Sequence, residues 1–310
     1  MENTEVGPSG PATPVDDKVC DIVSKLFSGN DFGDACGTKY DKYGREKFPN
    51  WKCIPSGDKT APSSDSNQGS ICVPPRRRRL YVGGLTKWAS GNTVVSGQAQ
   101  TPQGDTTSPS DNKLRDAFIQ SAAIETFFLW HKYKMDKEIE KKQQQKNGLV
   151  ANTSNVGKEH QEKLEQSGII PEDFKRQMFY TLGDYRDILF GKDISGDKNM
   201  DTIEEKINGI LPKNGTPSPA KKNTPTEWWS QNGEHIWNAM ICALTYDTNT
   251  ASGDKPTQNE KVKEALWDEQ NNKPKNDYQY SSVTIGGEGA EGQLQSTCLL
   301  YTSPSPRDRG

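Results

Sequence analysis

Large apolar side chains gather in three segments of this chain, and each segment repeats them at helical spacing. In LRDAFIQSAAIETFFLWHKYK, Leu114, Ala117, Phe118, Ser121, Ile124 and Phe128 share one face, while Phe127 and Trp130 load a second. So wide an apolar arc predicts a helix with packing partners on two sides. Asp111 or Asn112 stands where a cap belongs, and the polar run KMDKEIEKKQQQKNG carries the far end into solvent before Gly148. In PEDFKRQMFYTLGDYRDILFG, Phe174, Met178, Leu182, Tyr185 and Leu189 form a core-facing stripe. Pro171 fits the first turn, Glu172 and Asp173 complement its positive end, and Gly191 supplies the stop. The third segment, TPTEWWSQNGEHIWNAMICALTY, opens on Thr224-Pro225-Thr226-Glu227, a capping box with proline in the first helical position. Trp229, Ile236, Met240 and Ala243 line one face, with Trp237, Ile241 and Leu244 beside them.

Elsewhere the pattern is weaker. Residues 16–27 read as a short amphipathic helix through Val19, Ile22, Val23 and Leu26. From Ser28 to Ile71 the chain is rich in Gly, Asp, Asn, Ser and Pro, which is loop chemistry, with Phe32, Tyr40, Tyr43, Phe48 and Trp51 as the available anchors. Leu80-Tyr81-Val82, Leu85 and Trp88 predict a brief extended or helical contact. Residues 89–112 are a low-complexity insertion, residues 192–223 and 247–260 read as linkers, and a weak helix returns over Asn259 to Trp267. No internal repeat is visible. The resulting organisation is a linker (1–15), a loop-rich, Cys-containing subdomain (16–112), a helical-bundle subdomain (113–250) and a polar, truncated end (251–297). The final stretch, beginning Cys298-Leu-Leu-Tyr-Thr-Ser-Pro-Ser-Pro-Arg-Asp308, reads as the translation of a transposase adapter used in sequencing libraries, so 298–310 is set aside from fold reasoning.

Mean hydropathy of -0.92 and 31% hydrophobic residues would by themselves suggest partial disorder; the clustering of the aromatics argues for a small helical core instead. Lys+Arg 39 against Asp+Glu 42 leaves a net charge of -3, so no global field favours nucleic acid or anionic membrane. No run approaches the roughly 20 apolar residues that cross a bilayer, and the opening MENTEVGPSGPATPVDD has neither a basic nor an apolar signal region. The chain is then either intracellular or a fragment of a longer protein; the fragment is the expectation, with no direct membrane insertion.

Cys20, Cys36, Cys53 and Cys72 are separated by 16, 17 and 19 residues. Zinc ligands come in close pairs, and His131, His160 and His235 lie far off, so disulfides are the expected use of these four. A loop-rich stretch cannot offset its ordering entropy by burial alone, which makes cross-links physically appropriate there. The four allow three pairings, which stay open, and Cys242 is left without a partner.

No catalytic constellation assembles, and no cofactor motif is present. His235 follows Glu234, but adjacent helical residues point roughly 100° apart and form no dyad. Asp184, Arg186 and Asp187 around Tyr185 are either an active-site patch or, more plainly, ion pairs along a helix. Tyr81-Val-Gly-Gly-Leu matches no phosphate-cradling pattern. The best polar candidate is Arg76, Arg77, Arg78 and Arg79 after Pro74-Pro75. In extended form these arginines could hold a sulfated glycan, a phosphate or an acidic receptor face; the plainer alternative pairs them with carboxylates of the bundle, and a nuclear import signal clashes with the disulfide reading. Asn152-Thr-Ser and Asn214-Gly-Thr are glycosylation sequons.

Four motifs, in order along the chain, carry a resemblance. Ile71-Cys-Val-Pro-Pro-Arg-Arg-Arg-Arg-Leu-Tyr81, Leu114-Arg-Asp-Ala-Phe with Glu125-Thr-Phe-Phe-Leu-Trp-His131, Gln177-Met-Phe-Tyr-Thr-Leu-Gly-Asp-Tyr-Arg-Asp187, and Trp228-Trp with Ile236-Trp and Ile241-Cys-Ala-Leu-Thr245 resemble the signature segments of Duffy-binding-like domains. The likeness covers residues 16–250 and is nearest to such domains in the variant erythrocyte membrane protein 1 adhesins of malaria parasites, in the beta class. It implies a mainly α fold: a disulfide-stapled, loop-rich subdomain packed on a helical bundle, with a third, Cys-rich helical subdomain missing here and the partner of Cys242 gone with it. It implies no enzymatic activity. It implies instead an extracellular adhesion module on the infected red cell, part of a longer membrane-anchored protein, binding a host cell-surface protein such as intercellular adhesion molecule or the C1q globular-head receptor. Binding of a heparan-type sulfated glycan through Arg76–Arg79 is the rival expectation. Salt separates them, because polymer binding weakens steeply with added ions.

Overall fold

The computed structural model describes residues 18–29, 31–42, 45–54, 71–91, 109–146, 156–195, 199–211, 223–248 and 255–282. In chain order the helices are α1 (Val19–Ser28), α2 (Asp31–Lys39), α3 (Pro75–Arg78), α4 (Gly83–Ala89), α5 (Pro109–Lys146), α6 (Val156–Ser167), α7 (Glu172–Leu189), α8 (Asn199–Ile210), α9 (Pro225–Ala243) and α10 (Glu260–Leu266). Two antiparallel ribbons accompany them, β1 (Lys52–Ile54) with β2 (Ile71–Val73), and β3 (Trp267–Asp268) with β4 (Lys273–Pro274). The fold is mainly α, as the sequence pattern requires.

The long helix α5 is the axis, touching α1, α4, α6, α7 and α9. This is what its doubled apolar face predicts. Phe118 packs against Trp228 of α9 and Tyr185 of α7, and Trp130 against Phe174. Phe127 and Phe128 turn to the N-terminal helices, where Phe27 and Phe32 meet them edge-on or stacked at centroid distances of 4.8–5.3 Å. Such geometries are the favoured aromatic arrangements.

The start of α9 and the stop of α7 are those their sequences specify, whereas the starts of α5 and α7 shift. In α9 the Glu227 N–H donates to Thr224 Oγ1 at 3.3 Å and the Thr224 N–H donates to Glu227 Oε2 at 2.8 Å, so the capping box is complete. Helix α7 stops where Gly191 takes φ 61°, with Pro171 just outside it. Helix α5 starts at Pro109, ahead of the expected cap at Asp111 or Asn112. Glycine decides the contact between α4 and α5: a Cβ on Gly84 would sit 2.7 Å from the Ala117 carbonyl oxygen, so α4 approaches α5 as closely as it does only because that atom is missing.

Several expectations need correction. Residues 31–39, read as loop, form α2, because Phe32 has an aromatic cluster to enter. The linker read over 192–223 contains α8, whose Met200, Ile203 and Ile207 are buried; that helical spacing was present in the sequence. In the end read as polar loop over 251–297, the weak helix expected over Asn259 to Trp267 is present as α10, and what the reading missed is the β3–β4 ribbon and Tyr278, whose carbonyl accepts the Trp237 indole N–H at 2.8 Å.

The cysteines also pair otherwise than expected. Cys242 is not unpaired: it bonds to Cys20, with a Cα–Cα distance of 5.7 Å, because α1 packs directly on α9. Cys53 bonds to Cys72 across facing positions of the β1–β2 ribbon. Cys36, expected among the cross-linked four, is a free, exposed thiol. The linker 1–15, residues 92–108 of the insertion, both sequons and the stretch 298–310 lie outside the described residues.

Candidate functional site

The binding alternative puts the four arginines in extended form; the structure coils them instead into and just beyond the single turn of α3, which Pro75 starts in the position where a missing N–H does no harm. Their side chains then diverge. Arg76 reaches α7 and grips both oxygens of Asp184, Nη2 to Oδ1 at 3.3 Å and Nη1 to Oδ2 more closely. Arg77, buried, donates to Asp193 just past the end of α7. Arg79 donates to Glu46 Oε2 at 3.0 Å and to the Lys47 carbonyl at 3.3 Å. Glu46 in turn accepts from Lys132 of α5 at 2.5 Å. Arg78 differs, lying 4.6 Å over the Phe48 ring and donating to the Asn50 carbonyl at 2.9 Å.

Beneath the turn is a buried polar node. Glu125, on α5, accepts from the Lys39 ammonium and from the Tyr81 N–H at 2.6 Å. Lys39 also donates to the Arg79 carbonyl at 2.6 Å, and the Tyr185 hydroxyl donates to the Tyr81 carbonyl at 2.7 Å. Burial pushes the Lys39 ammonium below its ordinary pKa, with the Glu125 charge opposing, and burial holds the Tyr185 phenol protonated. The segment Arg76–Tyr81 therefore stitches α2, α5 and α7 together. Three of the four arginines already meet carboxylates of the protein, which is the plainer of the two alternatives that the sequence left open. Sequence reasoning named the arginines, and Asp184 within the α7 patch, but could not pair them with Asp184, Asp193 and Glu46, which lie 108, 116 and 33 residues away from their partners.

The charge-rich patch on α7 belongs to the same network. Asp187 is driven up to about 6, first by burial and then by the Asp184 charge, with Arg186, Lys192 and Arg77 opposing. Among the described residues no group of His, Cys, Asp and Glu could hold a metal ion, and no helix is long and apolar enough to cross a membrane.

A few large apolar side chains face outward among the described residues. Phe48 and Trp51 are 46% and 47% exposed, Phe48 beneath Arg78, in a protein whose other tryptophans are buried. Met135 and Ile139 form a second exposed pair on α5, and Ile169 stands alone between α6 and α7.

Residues 70–282 match the family model described as the Duffy binding domain. Over 223 residues the chain is 23% identical to the Duffy receptor alpha form of Plasmodium knowlesi, covering 72% of this chain and 15% of that protein. Over 73 residues it is 29% identical to the Duffy receptor of Plasmodium vivax (strain Salvador I), covering 24% of this chain and 6% of that protein. The chain thus spans a small part of the length of either relative. The matched stretch begins just before the arginine segment and runs past the expected boundary at residue 250, through the β3–β4 ribbon.

Proposed function

The chain belongs to the Duffy binding domain family, and from that premise we propose that it is an adhesive module that binds a protein on the surface of a host cell. The family match over residues 70–282 carries this reading. It is supported by an arrangement in which the polar chemistry of the signature segments is turned inward to hold the scaffold, so that binding falls to the outer loops and helix faces. The mechanism is shape and charge complementarity around a few aromatic and arginine anchors; no bond is made or broken.

Within that family, the strings Arg76-Arg-Arg-Arg-Leu-Tyr81 and Glu125-Thr-Phe-Phe-Leu-Trp-His131 favour the variant erythrocyte membrane protein 1 type, beta class. In that setting the module faces outward from the infected red cell as part of a longer anchored protein, with intercellular adhesion molecule or the C1q globular-head receptor as partner. The glycan alternative loses its support at Arg76, Arg77 and Arg79, whose guanidinium groups are engaged within the fold. Purified chain should bind cultured endothelial cells or erythrocytes saturably, and immobilised receptor ectodomains identify the partner. Saturable binding that disappears after heparinase treatment of the cells would return the glycan to first place.

A further inference from the structure

Resting on the adhesive reading above, we propose that Phe48, Trp51 and Arg78 form the receptor-contact surface, and that its occupant is an acidic protein surface carrying an apolar side chain. The segment 48–52 lies ahead of the family match and is exposed throughout. Phe48 is nearly half exposed and takes φ 53°, the left-handed region that bulky side chains avoid. Neither burial nor backbone preference accounts for an aromatic there. Held strain of this kind recurs at binding sites, where the surrounding structure enforces it.

The enforcement is visible. Arg78 covers the Phe48 ring at 4.6 Å and donates to the Asn50 carbonyl, and Arg79 donates to the Lys47 carbonyl. The Lys47 N–H donates to the Lys39 carbonyl at 2.9 Å. Immediately after Trp51, the Cys53–Cys72 disulfide pins the strand to β2. The loop is therefore ordered before any partner arrives, which lowers the entropy lost on docking. An exposed aromatic with an arginine over its ring, and a second exposed aromatic three residues along, also have the composition of interface hot spots.

Charge selects the partner. Lys47 and Lys52 flank the aromatics along the chain and Arg78 lies over the Phe48 ring, whereas the nearby carboxylates Asp41 and Glu46 are ion-paired, Asp41 with Arg45 and Glu46 with Arg79 and Lys132. An acidic protein surface fits this field and an apolar side chain fits the rings, whereas a sulfated glycan leaves the rings without use. The Met135–Ile139 pair lies among Asp136, Lys137, Glu138 and Glu140, a mixed field with no such preference, and so serves as the control.

The test is a binding titration of purified wild type, Phe48→Gly/Trp51→Ala, Lys52→Glu and Met135→Ala/Ile139→Ala on erythrocytes and cultured endothelial cells, with a thermal melt of each. The Phe48→Gly/Trp51→Ala protein should melt no lower than wild type, since glycine relieves the left-handed backbone, yet bind at least about tenfold more weakly. Lys52→Glu should also weaken binding, and the control pair should not. Wild-type binding that Phe48→Gly/Trp51→Ala leaves intact overturns this surface while the adhesive function stands. Binding that heparinase abolishes overturns the protein partner, and tighter binding by Lys52→Glu overturns its acidity. A wild type that binds neither cell removes the adhesive reading and this surface with it.

Discussion

Lys39 of α2 and Glu125 of α5 form a buried ion pair, their side chains 8% and 4% exposed, and Glu125 also accepts the Tyr81 N–H. A pair so placed contributes less by its attraction than it endangers by its loss, because a lone buried charge has no solvent to turn to. Glu125→Gln keeps an acceptor for Tyr81 and leaves Lys39 uncompensated. It should lower unfolding free energy by about 3–5 kcal/mol, measured by urea denaturation, while Lys39→Met/Glu125→Leu recovers much of that loss. A Glu125→Gln protein within about 1 kcal/mol of wild type would show that the node does not hold the scaffold.

The Cys20–Cys242 bond closes a loop across a sequence separation of 222 residues and joins α1 to α9. Non-reducing peptide mapping should recover Cys20 with Cys242 and Cys53 with Cys72, and alkylation before reduction should label Cys36. Replacing Cys20 and Cys242 by serine should cost about 2–5 kcal/mol and expose α1 to early hydrogen exchange. A Cys20–Cys36 peptide would contradict the packing of α1 against α9.

How much of this was legible in the sequence depended on whether a residue's partner was local. The stripes of α5, α7 and α9 and the Thr224–Glu227 box are decided within a few turns of chain, and they stand in the structure as read. Helix α2 was not legible, since DFGDACGTK carries two glycines and a single large apolar residue, and only the cluster of Phe27 and Phe127 makes it pack. The arginines read either as a binding patch or as partners of carboxylates in the bundle, because a basic string is ambiguous until its carboxylates are placed. Cys242 looked unpaired for the same reason: spacing along the chain does not report that α1 packs on α9. The exposed Phe48 and Trp51 were read as anchors for the loop region, since a string of letters does not say which side of an aromatic faces water.

Gly84 sets the contact between α4 and α5. A methyl group there would lie 2.7 Å from the Ala117 carbonyl oxygen and 2.8 Å from Ser121 Oγ, and the Leu85 N–H donates to that same hydroxyl at 3.3 Å. Gly84→Ala should therefore push the helices apart and destabilise by about 1–3 kcal/mol, despite alanine's better helix propensity. Hydrogen exchange at the Leu85 N–H reports the shift, because that group donates to Ser121 across the contact. Unchanged exchange there with raised stability would mean that the helices accommodate the methyl group freely.

Asp187 gives the scaffold a pH dependence of definite sign. Its carboxyl titrates near 4 when unfolded and at about 6 in the fold, raised by burial and by Asp184 against the pull of Arg186, Lys192 and Arg77. Between those two values the folded state binds more protons than the unfolded one, so this group's contribution to stability is full below pH 4 and falls as pH rises through 6. A difference of two units amounts to about 2–3 kcal/mol. Asp187→Asn removes the titration while keeping the shape, so its stability relative to wild type should improve by about that amount between pH 4 and pH 7.5. Paired denaturation curves at the two pH values measure it, and a difference between the proteins that does not change with pH would mean that Asp187 titrates in the fold as it does in water.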